Sequence, residues 1–148
     1  MADRYVVPDT CAVAAALFNE VYSANALPLI EAIHRQGVHA IAPVLGIAEF
    51  LNVSRKKVEA RDGHSLHLAD VEAIVADFFS LPIAWENIEQ NQKKAWRWYH
   101  SGVETADAFF LQTAIDWDAE IWTTDQKFFN AARPHYSKLF NLQTSVFA

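Results

Sequence analysis

Short β-branched runs and longer amphipathic stretches alternate along this chain. Tyr5-Val6-Val7, stopped by Pro8, predicts a strand, and Asp9-Thr10 is a helix-start signal ahead of the apolar residues 12–18. Leu29, Ile30 and Ile33 recur at helical spacing, which predicts a second helix capped by Asn25 and ended at Gly37. Residues 39–42 form a second predicted strand. Pro43 then opens a helix that carries Glu49 and finishes in Arg55-Lys56-Lys57, where positive charge suits a helix C-terminus. Polar residues 60–65, with Gly63, read as a loop. Leu68, Val71, Val75 and Phe78 mark an amphipathic helix over 66–79, and residues 81–85, containing Pro82, read as a strand at or near a sheet edge. Helices are expected over 87–100 and 104–117, separated by Ser101-Gly102. A strand at 120–123, a helix at 126–132 closed by Pro134, and a last strand at 139–142 complete the order.

This order predicts an α/β fold: a three-layer sandwich with a central, mainly parallel sheet of about five strands flanked by helices, in a single domain over residues 1–148. In such a fold the connecting helices run antiparallel to the strands, so their N-termini lie at the C-terminal edge of the sheet, where open α/β sheets bind ligands. Four acids fall on that edge. Asp9 and Asp125 directly follow strands, while Glu49 and Asp107 lie in the first turns of helices among small and apolar neighbours.

Composition narrows the class. The chain has 148 residues, 52% of them hydrophobic, with five Trp and ten Phe, which suffices for a core without disulfides. The single cysteine, Cys11, points to a reducing compartment, and we expect a cytoplasmic protein. No apolar stretch approaches the roughly 20 residues that span a bilayer, and the start Met-Ala-Asp-Arg-Tyr lacks a signal-peptide layout, so no membrane association is expected. A net charge of −6 argues against coating nucleic acid by bulk electrostatics, but is compatible with a nuclease whose acids bind cations.

A carboxylate is costly to desolvate without a cation or a hydrogen-bond partner. Convergent carboxylates suit Mg²⁺ or Mn²⁺, which prefer oxygen ligands and can activate water for attack on a phosphodiester. Each acid also has a plainer role open to it: Asp9 and Asp125 as helix caps, Asp107 as a partner of the helix dipole, Glu49 as a solvated side chain.

Pro8-Asp9-Thr10, Ala48-Glu49, the run from Thr105-Ala106-Asp107-Ala108-Phe109 through Ala114, and Thr123-Thr124-Asp125 together resemble the four acidic motifs of PIN-domain nucleases, in order and over almost the whole chain. The size is similar to that of VapC-type toxins of bacterial toxin-antitoxin pairs. The resemblance implies that Asp9, Glu49, Asp107 and Asp125 hold Mg²⁺ or Mn²⁺ and that the bound water cleaves RNA, with Thr123 and Thr10 supporting the site. It further implies a homodimer and a small antitoxin partner laid over the acidic cleft. Cys11 stands where many members carry Ser or Asn, and we read it as a packed small residue. Two other readings stay open: an RNA-processing nuclease of the same fold without an antitoxin, and a catalytically silent RNA- or protein-binding module.

Two basic groups are candidates for RNA contact, Arg55, Lys56 and Lys57 with Arg61 nearby, and Lys93, Lys94 and Arg97. The second is interleaved with aromatics, as a base-stacking surface would be. The plainer account of that segment turns Trp96 and Tyr99 toward the core and leaves the cations solvated. His64 and His67, three apart, lack a third ligand nearby in sequence for zinc, and no glycine-rich phosphate loop is present.

Overall fold

The computed structural model describes residues 2–148. Its strands are β1 (Arg4–Pro8), β2 (Val38–Pro43), β3 (Ile83–Glu86), β4 (Glu120–Thr123) and β5 (Leu139–Asn141). They form one sheet in the order β3-β2-β1-β4-β5, and every neighbouring pair is parallel. Seven α-helices flank it: α1 (Thr10–Leu17), α2 (Ser23–Ala32), α3 (Leu45–Glu59), α4 (Leu68–Ser80), α5 (Gln92–Tyr99), α6 (Thr105–Trp117) and α7 (Gln126–Ala132). Helices α1 to α4 pack as one group, whereas α5 packs on α6, which lies along β1, β2 and β4. Because the sheet is covered by helices, its central residues are apolar on both sides: Val6, Val7 and Ile121 are all fully buried.

Register explains the placement of the acids. Val7 lies opposite Ile121 and Pro8 opposite Trp122, so the next residues, Asp9 and Thr123, emerge side by side at the C-terminal edge. β1 is followed in sequence by a crossover to β2 on one side, while β4 occupies its other side. That reversal of strand order leaves a crevice between the two connections.

Several boundaries depart from expectation, each for a local reason. Helix α2 starts at Ser23, not after an Asn25 cap; Asn25 lies in its first turn, where Nδ2 donates to the Leu142 carbonyl at 2.7 Å. The helix ends at Ala32, and Gly37 instead provides the positive φ of 86° just before β2. Pro43 closes β2, where its partner is Glu86, and does not open α3. The Val44 N–H bonds across to the Glu86 carbonyl, so the missing Pro43 N–H belongs to the β1 side, where pairing has already ended at Ala40. The predicted 87–100 helix is divided: a 3₁₀ turn at Ile88–Gln90, begun by Asn87 accepting from the Glu89 N–H, precedes α5. Strand β3 is an edge strand, and β4 and α7 have the expected bounds.

The packing of α3 sets the position of one acid. Phe50 and Phe78 stack with centroids 3.9 Å apart, joining α3 to α4. At the start of α3, a Cβ on Gly46 would lie 3.1 Å from the Trp85 ring, 3.2 Å from the Phe110 ring and 3.4 Å from Thr10 Oγ1. Glycine therefore lets the first turn of α3 approach α1 and α6 closely, which carries Glu49 to the sheet edge.

Candidate active site

Asp9 is only 5% exposed, yet its carboxylate is well supplied with donors. Oδ1 accepts from the Thr10 N–H at 2.8 Å, which caps α1, and Oδ2 accepts from Thr123 Oγ1 at 2.7 Å and from Cys11 Sγ at 3.1 Å. Burial raises its pKa above the ordinary aspartate range, with these three hydrogen bonds opposing the rise and the Asp125 charge adding to it. Cys11 is more than a packed small residue, because it joins Asp9 to Thr123, whose Oγ1 lies 3.2 Å from its sulfur. Its thiol is pushed up by burial and then by the Asp9 charge, which keeps it a neutral donor.

The two threonines tie the other acids to this centre. Thr10 Oγ1 donates to Glu49 Oε1 at 3.0 Å, and the Thr123 hydroxyl accepts from the Asp125 N–H at 2.9 Å. Asp125 also caps α7, its Oδ1 accepting from the N–H groups of Lys127 and Phe128 at 2.9 and 3.1 Å. The cap role anticipated for Asp125 is therefore real, and it holds the residue beside the others.

Glu49, Asp107 and Asp125 line one open cleft of about 530 Å³, together with Tyr99 and Glu104, and Asp9 lies buried within reach of its charge field. Asp107, in the first turn of α6, is pushed up to about 8 by burial first and then by the charges of Asp9, Asp125, Glu49 and Glu104. Glu49 is raised by burial and by Asp9, against the Thr10 hydrogen bond. Among the described residues no Lys, Arg or His lines the cleft wall itself.

Among the described residues, no group of three or more His, Cys, Asp or Glu side chains is already arranged to hold a metal ion. The donor chemistry nevertheless fits a hard divalent cation. The cleft offers carboxylate oxygens that repel one another, and Mg²⁺ needs only one or two protein carboxylates alongside water and phosphate. His64 and His67 form no part of a metal-holding group either.

The candidate RNA-contact cations are placed elsewhere: none of Arg55, Lys56, Lys57, Lys93, Lys94 and Arg97 lines the cleft. Arg55 pairs with Glu59 at 2.6 Å, Lys57 with Glu20 at 3.1 Å and Lys94 with Asp116 at 3.3 Å. Arg97 lies over the Trp98 ring and donates to Gln112. The expected inward turn holds for Tyr99, which packs half-buried against the core, and is overturned for Trp96. Trp96 is 60% exposed, because Asn91 just before α5 and Ala95, Trp98 and Tyr99 within it face inward, Tyr99 also lining the cleft. Asn91 is accepted into the interior by hydrogen bonds to Glu86 and Thr113.

Two residues at the cleft were not singled out from the sequence. Glu104 stands at the N-cap position of α6, without a side-chain capping bond, and adds its charge to Asp107 three residues on. Lys127, at the start of α7, pairs with Glu104, and its pKa is raised by that partner first and by Asp125 and Asp107 after it.

The family model described as PIN domain matches residues 6–134. No curated protein matches the sequence. Among solved structures, PAE2754 from Pyrobaculum aerophilum is similar with a TM-score of 0.59 and 18% identity, covering 97% of this chain and 94% of the other. The Mycobacterium tuberculosis protein VapC20, described as a Sarcin-Ricin loop cleaving toxin, is similar with a TM-score of 0.60 and 19% identity, covering 85% of this chain and 94% of the other. At such identities the likeness is one of fold.

Proposed function

The chain belongs to the PIN-domain family, a family of nucleases, and from that premise we propose that it is a Mg²⁺- or Mn²⁺-dependent endoribonuclease, the toxin component of a toxin-antitoxin pair. The observation that carries the reading is Asp107: a carboxylate at an open cleft also lined by Glu49 and Asp125, opposed by four other acidic charges, while the cation at the rim, Lys127, is paired with Glu104.

Asp9, Glu49, Asp107 and Asp125 would hold the cation, which supplies an activated water and offsets negative charge on the phosphodiester. The protein's own contribution is orientation. Thr123 and Cys11 fix Asp9 Oδ2, Thr10 fixes Glu49 Oε1, and the α7 cap fixes Asp125. Asp107 has a pKa of about 8 in the cation-free protein, so it can carry a proton near neutral pH until a cation or substrate changes its surroundings.

The toxin assignment is supported by the fold likeness to VapC20, a toxin that cleaves the Sarcin-Ricin loop. With it go a small antitoxin partner over the cleft, a homodimer, a single domain over residues 1–148 and a cytoplasmic location. No described helix is long and apolar enough to cross a membrane.

The test is cleavage of RNA with Mg²⁺ or Mn²⁺, with chelator, and by Asp107→Asn. We expect cleavage that the chelator abolishes and the variant loses. Undiminished cleavage by folded Asp107→Asn in chelator would overturn the reading. Co-purification with a small protein encoded beside it would separate the toxin from an RNA-processing nuclease of the same fold.

A further inference from the structure

Cations available to an RNA chain near the cleft are few. Lys57 and Lys94 are engaged by Glu20 and Asp116, Arg55 by Glu59, and Lys127 by Glu104 at the rim itself. In the cation-free protein the cleft carboxylates repel phosphates, so affinity for RNA in that state comes largely from groups that do not depend on phosphate charge. Bases are such groups, and an aromatic ring binds them by stacking.

Helix α5 presents such rings. Trp96 is 60% exposed, an unusual position for an indole, and it is braced without being covered. Tyr99 meets it edge to face with centroids 5.3 Å apart, and His100 does so at 5.2 Å. Tyr99 is at the same time a lining residue of the acidic cleft, alongside Glu49, Asp107 and Asp125. Tyr99 therefore links Trp96 to the cleft that the carboxylates line. One turn before Trp96 on the exposed side stands Lys93, which makes no ion pair among the described residues.

We infer that Trp96 and Tyr99 form a base-stacking subsite that leads single-stranded RNA into the cleft, with Lys93 beside a flanking phosphate. This rests on the nuclease reading above; the faces the subsite stacks on are those of unpaired bases, since bases inside a duplex have theirs already occupied. Continuity with the cleft and the neighbouring free cation favour RNA over a protein partner on this face.

The experiment is fluorescence anisotropy of a labelled single-stranded oligoribonucleotide, and of the same strand in a duplex, with cation omitted to prevent cleavage. Parent, Trp96→Ala and Trp96→Phe proteins are compared, each checked for fold by circular dichroism and for oligomeric state by sedimentation. Trp96→Ala should weaken single-strand binding about tenfold, in line with loss of one stacked base. Trp96→Phe should restore most of it, and duplex binding should be weak and unchanged. Three outcomes would overturn the inference: no single-strand binding by the parent, equal loss for strand and duplex, or a Trp96→Ala affinity equal to the parent's. A change of oligomeric state in Trp96→Ala would also overturn it, by assigning the face to contact between copies. If stacking is found but no cation supports cleavage, the nuclease reading fails while the subsite stands.

Discussion

Thr123 donates its hydroxyl to Asp9 Oδ2 at 2.7 Å across 114 positions of sequence, joining the end of β4 to the end of β1. Thr123 Oγ1 in turn accepts from the Asp125 N–H, so one buried hydroxyl orients two of the four acids. Thr123→Val keeps the shape and removes both bonds. It should lower stability by about 1–3 kcal/mol, the cost of leaving buried polar groups unpaired, whereas Thr123→Ser should retain most of it. Urea midpoints in chelator measure this; Val and Ser variants that unfold together would contradict it.

Asp107 should make the cation-free protein less stable as pH rises. Its pKa is about 8 when folded against an ordinary aspartate value of ~3.9, so between those values the folded protein holds a proton that the unfolded chain has released. Stability from this group is fully present below about pH 4, declines through the window, and is fully lost above pH 8. Asp107→Asn should remove that decline and be the more stable protein at pH 9. Chemical denaturation in chelator across this pH range is the measurement, and parallel profiles would contradict the assignment.

The expectation for Asp9 differs, although charge repulsion alone would predict the same gain. Its two oxygens accept from Thr10 N–H, Thr123 and Cys11, and an amide replaces one acceptor by a donor. Asp9→Asn relieves a desolvated charge but sets an N–H₂ group against existing donors. We therefore expect no stabilisation in chelator comparable to that of Asp107→Asn, and loss of cleavage. A stability gain as large as that of Asp107→Asn would show that burial of charge outweighs these bonds.

Asp125 combines a helix cap with a place at the cleft, and two substitutions separate them. Asn can still accept from the Lys127 and Phe128 N–H groups, so Asp125→Asn should stay within a few tenths of a kcal/mol of the parent, whereas Asp125→Ala should cost about 1 kcal/mol. Both should lose cleavage if the charge serves the cation. Full cleavage by Asp125→Asn would reduce Asp125 to its cap.

Gly46→Val would place a branched side chain among the Trp85 and Phe110 rings and Thr10. Overpacking there should cost about 1–3 kcal/mol and displace the first turn of α3, and with it Glu49 just beyond that turn. A thermal melt together with the cleavage rate reports both effects. An unchanged melt would mean that the two rings move aside freely.

The architecture was legible because its signals are local. β-branched runs ended by Pro8 and by Thr123-Thr124, and helix starts marked by Asp9 and Asp125, required no knowledge of distant partners. Sequence and structure part where a distant group intervenes. Asn25 suits a helix cap but serves the Leu142 carbonyl, and Pro43 suits a helix start but closes a strand paired to β3. Aromatic periodicity in α5 suggests an inward Trp96, whereas the buried Asn91 just before the helix, held by Glu86 and Thr113, turns Trp96 outward.

The sequence by itself determined that four acids stand at strand ends and helix starts, and a parallel sheet must gather such positions at one edge because its helices return antiparallel to its strands. Tertiary structure alone decided what each carboxylate experiences. Burial of Asp9 under Thr123 and Cys11, the crowding of charge that lifts Asp107, and the turn of Trp96 toward solvent depend on oxygen-to-donor distances and helix phase across remote segments. Those are set by register and packing, which no local pattern encodes.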